Sequence, residues 1–211
     1  DEPLSNLDAQ MRVKTRSEIR SLQQSLRATM IYVTHDQEEA MTMATRIGVM
    51  SEGKILQIGA PSDIYETPNC RFVADFIGTV NLFKGKVTQD EPDHVVIESR
   101  ECKHYVSHGI TGTAGMEVHV AIRPEKMSIS AEAPTDSERE SAAEVGFNVA
   151  QGVIHDLAYL GSLTTYHVKL DSGMVVKVTH TNAARHNKTQ LTWDDKVYVW
   201  WCGSDVVVLT S

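Results

Sequence analysis

A chain of 211 residues has room for one large domain or two small ones, and 41% hydrophobic with 23% charged residues is the make-up of an ordinary globular protein. A formal charge of −8 argues against a nucleic-acid partner, which needs a basic face to displace counterions from phosphates. No apolar run approaches the ~18 residues that suggest a membrane span, so any membrane association is expected to run through a partner.

Residues 8–27 predict a helix. Met11, Ile19, Leu22 and Leu26 fall near one face as its apolar stripe, and Asp8 is placed to cap its start. Met30-Ile31-Tyr32-Val33-Thr34 follows, a short β-branched and apolar run that reads as a strand buried on both faces, as in a parallel sheet. Asp36-x-x-Glu39 resembles a capping box opening a second helix, with Ala40, Met43, Ala44 and Ile47 as its apolar stripe. Residues 47–50 and 54–58 read as two strands joined at Glu52-Gly53. Short helices are expected from Pro61 and from Asn69, the second packed through Phe72, Val73, Phe76 and Ile77. This alternation belongs to an α/β layer architecture that opens partway through a βα unit.

The character changes near position 80. Tyr166, Val168 and Leu170 alternate with polar neighbours, and so do Met174, Val176 and Val178 after the Asp171-Ser172-Gly173 turn. Val197, Val199 and Trp201 repeat the pattern, and residues 206–209 make a closing strand. Period-two alternation with frequent turns predicts an antiparallel sandwich or barrel. Trp200 and Trp201 must face opposite sides, which puts at least one in the core. Residues 131–144 read as a polar loop without chemistry, and no repeat of the usual solenoid length is visible. The three cysteines include no C-x-x-C pair, which suits free thiols in a reducing compartment. Cys102, His104 and His108 lack the fourth ligand and the spacing of a zinc site.

Two segments carry chemistry. Asp1-Glu2-Pro3-Leu4-Ser5-Asn6-Leu7-Asp8 and Val33-Thr34-His35-Asp36-Gln37-Glu38-Glu39-Ala40-Met41, with a helix and a strand between them, resemble the end of the Walker B motif, the D-loop and the switch histidine of ABC ATPase domains. Phosphoryl transfer from ATP needs a carboxylate to hold magnesium and a base to orient the attacking water. The resemblance implies that Asp1 serves magnesium and that Glu2 is the general base. His35 then senses the γ-phosphate, and Ser5 and Asp8 lie in the loop that reaches the opposite nucleotide site of an ATPase dimer. The 211 residues contain no G-x-x-x-x-G-K-S/T and no Leu-Ser-Gly-Gly-Gln signature, so this chain is expected to be a C-terminal piece that does not hydrolyse ATP alone.

Ala121-Ile122-Arg123-Pro124-Glu125 and the strand-rich remainder look like the TOBE domain, an OB-like barrel appended to importer ATPases. Arg123 before Pro124 is expected to anchor a turn by bonding to backbone carbonyls. His155-Asp156-Leu157-Ala158-Tyr159-Leu160-Gly161, Tyr166-His167-Val168, and Asn182-Ala183-x-Arg185 with Thr192-Trp193-x-Asp195 are similar to the ATP-binding subunits of putrescine importers. The expected fold is therefore an α/β remnant of a P-loop ABC ATPase domain over 1–78 and an all-β OB-like TOBE barrel over 79–211. The resemblance implies ATP and magnesium in the parent protein and a homodimer at the cytoplasmic face of the bacterial inner membrane. It also implies membrane permease subunits and a periplasmic substrate-binding protein as partners. The competing expectation is a stand-alone OB-like domain that senses a small cation or anion.

Overall fold

The computed structural model describes residues 2–110, 113–141, 146–182 and 191–210. The chain divides after Gly78 into two compact units, each with its own cluster of buried apolar side chains. No helix among the described residues is long and apolar enough to cross a membrane.

The first unit holds α1 (Ala9–Leu26), α2 (Gln37–Met43), β1 (Ile47–Ser51), β2 (Lys54–Gly59), α3 (Pro61–Glu66) and α4 (Arg71–Phe76). Asp8 caps α1 by accepting from the Met11 amide at 2.9 Å, and Arg27 closes the helix in the left-handed region at φ 50°. β1 and β2 pair antiparallel around Glu52 (φ 49°) and Gly53 (φ 75°), the two positive-φ positions of a type I′ turn. Pro61 starts α3 in the first turn, where its missing N–H costs nothing. Ile47, Val49, Ile64, Val73 and Ile77 form the unit's core, flanked by Ala40, Met41 and Ala44 of α2. Phe72 and Phe76 of α4 stack on each other at 5.6 Å on the exposed side rather than in that core.

Two expectations for this unit, the strand over 30–34 and the full capping box, are corrected, and the apolar side of α1 is open. Residues 30–34 form no strand: the segment has no ladder partner among the described residues, and Ile31 is 93% exposed. Its alternation survives, but the inward positions Tyr32 and Thr34 bond to a carboxylate instead of packing in a sheet. Met11, Leu22 and Leu26 are exposed, and the side of α1 turned toward α2 carries Arg12 and Arg16, which pair with the acidic side chains that open α2. The Asp36-x-x-Glu39 box is half formed. Asp36 accepts from the Glu39 amide at 3.1 Å, but its own amide donates to Thr34 Oγ1 at 3.0 Å. Among the described residues, then, the strands of this unit are one antiparallel hairpin.

The second unit holds β3 (Asn81–Asp90), β4 (Val95–Ser99), β5 (Lys103–Val106), β6 (Glu117–Ile122), β7 (Ser128–Ser130), α5 (Asp136–Ser141), β8 (Phe147–Tyr159), β9 (Leu163–Leu170), β10 (Val175–Thr181), β11 (Lys196–Cys202) and β12 (Val207–Leu209). They make two five-stranded antiparallel sheets, ordered β12-β6-β3-β4-β5 and β10-β9-β8-β11-β7. One core containing Phe83, Ile97, Val120, Ile154, Val168, Val178, Val199 and Trp201 draws on both. Val168, Val176, Val178, Val197, Val199 and Trp201 are buried as the alternation predicts. Arg123 is buried and donates from Nη1 to the Thr79 carbonyl at 3.1 Å, the anchoring role expected of it. Residues 136–141 within the expected loop are helical, because Thr135 and Glu138 form a reciprocal cap: the Glu138 carboxylate accepts from the Thr135 amide and hydroxyl at 2.7 Å each.

The sheet orders expose an internal repeat with a period longer than that of solenoids. β3-β4-β5-β6 matches β8-β9-β10-β11 in order, and the last strand of each half is exchanged, β7 pairing with β11 and β12 with β6. One spacing separates Asn81 from Asn148, Gly85 from Gly152, and the register shift after Val87 from that after Ile154. The paired features do the same work. Asn81 exchanges two 2.8 Å bonds with the backbone of Lys177 in β10, and Asn148 accepts from the Tyr105 amide at 2.6 Å and donates to its carbonyl at 3.0 Å in β5. Each buried amide thus satisfies the edge of the opposite sheet. A Cβ at Gly85 lies 2.5 Å from Ile97 Cγ2 and one at Gly152 lies 2.6 Å from the Lys169 carbonyl, so neither strand tolerates a side chain there.

His104 is fully buried between Phe83 (4.9 Å) and Trp201 (5.7 Å), with Nε2 3.0 Å from Ser99 Oγ. Burial lowers its pKa to about 4 and raises that of neighbouring Cys102 to about 12, so both are neutral core groups.

Asn81→Ala and Asn148→Ala each leave the amide and carbonyl of an edge-strand residue without their side-chain partner and are expected to cost about 2–4 kcal/mol in denaturant unfolding; a loss confined to one of them would break the equivalence of the two halves. Between pH 6.5 and about 4 the unfolded chain binds a proton at His104 that the fold refuses, so stability falls as pH falls through this window, by up to roughly 3 kcal/mol. His104→Leu is expected to flatten that slope in the same unfolding measurement.

Candidate functional site

The turn that follows the chain's first residue runs beside the segment before α2. The Glu2 amide donates to the Val33 carbonyl at 2.9 Å, and Ser5 Oγ donates back to the Glu2 carbonyl at 3.0 Å. Leu4 is buried and fastens the turn. These bonds place Glu2 Oε1 at 2.5 Å from His35 Nδ1, with both side chains reaching solvent (42% and 73% exposed). Glu2 holds a left-handed backbone at φ 45°, a conformation that costs a non-glycine residue about 1 kcal/mol or more and gathers at working sites. The Glu2 hydrogen bond, then its negative charge, raises the His35 pKa above its ordinary value; Asp36 and Glu39 add smaller contributions of the same sign. The shift favours the protonated ring, whose Nδ1–H then donates to the Glu2 carboxylate.

A polar network lies behind His35 and joins residues 30–34 and α1 to the opening of α2. Glu39 is 3% exposed and accepts from Tyr32 Oη at 2.9 Å and Thr34 Oγ1 at 2.8 Å, with Arg16 Nη2 at 3.8 Å. Burial first, and then the bond to Glu39, pushes the Tyr32 hydroxyl up to about 12, so it remains a donor. Asp36 Oδ2 takes Arg12 Nη1 and Arg16 Nη2 at 3.4 Å each. Gln37 Nε2 donates to the Phe76 carbonyl. This network was not read from the sequence, although Arg12 and Arg16 four apart and the acids at 36, 38 and 39 were its visible signal.

Of the residues expected to serve the site, Glu2 and His35 meet. Ser5 and Asp8 are exposed and engaged locally, in the turn and in the cap of α1. Asp1, to which magnesium binding was assigned, lies outside the described residues, as do Ala183 and Arg185. Among the described residues no group of three or more His, Cys, Asp or Glu is placed to hold a metal ion.

Residues 120–209 match the family model of the TOBE domain. The chain is 41% identical over 212 aligned residues to the putrescine transport ATP-binding protein PotG of Escherichia coli (strain K12), covering 100% of this chain and 54% of that protein. It is 35% identical to the spermidine/putrescine import ATP-binding protein PotA of Thermotoga maritima, covering 99% of this chain and 55% of that one. The chain thus spans about half the length of these relatives. Among solved structures, the cytoplasmic molybdate-binding protein ModG with molybdate bound superimposes with a TM-score of 0.52 at 15% identity, over 62% of this chain and 96% of that one, which is a likeness of fold.

Glu2→Gln removes the charge that raises the His35 pKa. In the native chain this ion pair contributes below the ordinary histidine pKa and is lost as pH rises through the raised value. A ¹H–¹⁵N titration of the imidazole is expected to show the Glu2→Gln midpoint moving down toward 6.5; an unmoved midpoint contradicts the contact.

Proposed function

We propose that the chain, which carries a TOBE domain, belongs to the family of polyamine-import ATP-binding proteins and is part of the ATP-hydrolysing subunit that powers a bacterial importer of putrescine or spermidine. The observation that carries the reading is the 2.5 Å contact between Glu2 and His35, two residues far apart in sequence whose surrounding segments both resemble nucleotide-site motifs.

In this reading Glu2 is the general base. One carboxylate oxygen is engaged by the His35 Nδ1–H, and the other orients the water that attacks the terminal phosphate and accepts its proton. The raised pKa of His35 keeps that donor in place and leaves the far side of the ring to meet a phosphate oxygen. Magnesium, when bound with ATP, supplies the charge that offsets the phosphate oxygens, and Asp1 is the residue proposed to serve it. Ser5 and Asp8 lie on the loop proposed to face the second nucleotide site of a homodimer. The first unit is then an ABC ATPase segment and the second an OB-like barrel. The whole protein would work at the cytoplasmic face of the membrane with permease subunits and a periplasmic substrate-binding protein, which select the substrate without this chain touching it. A small-ligand sensor built on the barrel has only the likeness of fold behind it, and fold does not assign function.

In a protein of the relatives' full length containing these residues, Glu2→Gln is expected to lower ATP turnover ~10²–10⁴-fold while ATP binding is retained. Near-native turnover in that variant overturns the reading. The 211-residue chain is expected to show no magnesium-dependent hydrolysis. Met11, Leu22, Leu26, Met30, Ile31 and Val33 leave apolar surface exposed on one unit, and a second copy is proposed to cover it. Light scattering at micromolar concentration is then expected to report a dimer, and a monomer counts against this arrangement.

A further inference from the structure

Glu2 and His35 sit on separate turns, and one backbone bond joins those turns directly. The exposed carboxylate–imidazole pair has little strength of its own to hold two turns in register. Something else must span them, and the first two turns of α1 supply it.

Arg12 is placed between the two. Its Nη2 donates to the Leu7 carbonyl at 3.1 Å, in the turn that carries Glu2, and its Nη1 donates to Asp36 Oδ2 at 3.4 Å, next to His35. The helix that bears Arg12 is capped by Asp8, the residue after Leu7, so the base of the fork is itself anchored to the first turn. Asp36 is equally constrained: its Oδ1 caps α2 through the Glu39 amide at 3.1 Å. Arg16, one helical turn further along, is the natural comparison. It reaches Asp36, Glu38 and Glu39, all at the opening of α2, and none of these contacts touches the turn of residues 2–8.

We infer that Arg12 is a positioning residue that holds the Glu2 turn and the His35 turn in register by gripping a carbonyl of one and a carboxylate of the other with a single guanidinium. The planar fork matters more than the charge. An ammonium on a flexible stem reaches one of the two acceptors at a time, whereas the two Nη atoms of one rigid plane fix the distance between them. Arg16 is glue between α1 and α2; Arg12 sets geometry at the site. This assignment deepens the proposed ATPase reading, which gives the register its purpose, but the contact itself exists without nucleotide.

The test is made on the 211-residue chain near neutral pH, by the ¹⁵N shift of His35 Nδ1 in long-range ¹H–¹⁵N spectra. Glu2→Gln defines the shift of the broken contact. Arg12→Lys, which keeps the charge and the stem, and Arg12→Gln are both expected to move Nδ1 most of the way to that value. Arg16→Gln is expected to lower the unfolding midpoint while leaving Nδ1 at its native shift. A native shift in Arg12→Lys overturns the inference, and so does an equal displacement in Arg16→Gln, which would make the effect one of general loosening. If Arg12→Gln does not fold, Arg12→Lys decides. Because no nucleotide is present, a failure here is separate from a failure of Glu2→Gln to abolish turnover in the full-length protein.

Discussion

A carboxylate taken out of water must be compensated, and the buried Glu39 organises everything that carries the candidate chemistry. Its oxygens take the hydroxyls of Tyr32 and Thr34 and lie near the Arg16 guanidinium. Residues 30–34 are therefore held against α2 by side chains where a sheet would have used its backbone. That attachment determines where His35 emerges. Removing Glu39 would free Tyr32 and Thr34 and leave Arg16 with only Asp36 and Glu38 as partners. The cost of dehydrating Glu39 is offset by the bonds it accepts, whereas Arg12 Nε and Arg16 Nε in the same cluster are buried with no hydrogen-bond partner among the described residues.

The second unit solves a different problem by a related means. Two antiparallel sheets with free edges invite association. Asn81 and Asn148 each turn a buried primary amide onto an exposed edge and match its N–H and C=O at once. The exchange of β7 and β12 between the halves ties the sheets further, because each half is completed by the other's last strand. His104 and Cys102, two of the three neighbouring residues weighed against a zinc site, are neutral packing groups, with His104 against Trp201.

Much of this was legible beforehand. Asp8 and Asp36 as caps, Glu52-Gly53 as a turn, and the inward valines of the β unit follow from hydrogen bonds and alternation within a few residues. The capping box at Thr135 is equally local, but the acidic, polar composition around it masks the signal. The internal repeat was harder to see. The features kept between the halves, among them Asn81 and Asn148, Gly85 and Gly152 and the pattern of β6 and β11, are too sparse a likeness to register without the strand order.

The sequence alone determined which residue types stand at the candidate site and which positions of the strands are apolar, since both are properties of composition and short-range periodicity. Tertiary structure decided which face of α1 is used, that residues 30–34 remain outside a sheet, and that Glu2 and His35 come within 2.5 Å. The reason is physical. A cap or an alternation is settled by neighbours along the chain, whereas a strand needs a partner and a charged face needs its counter-charge. Both come from residues whose approach the linear order does not encode.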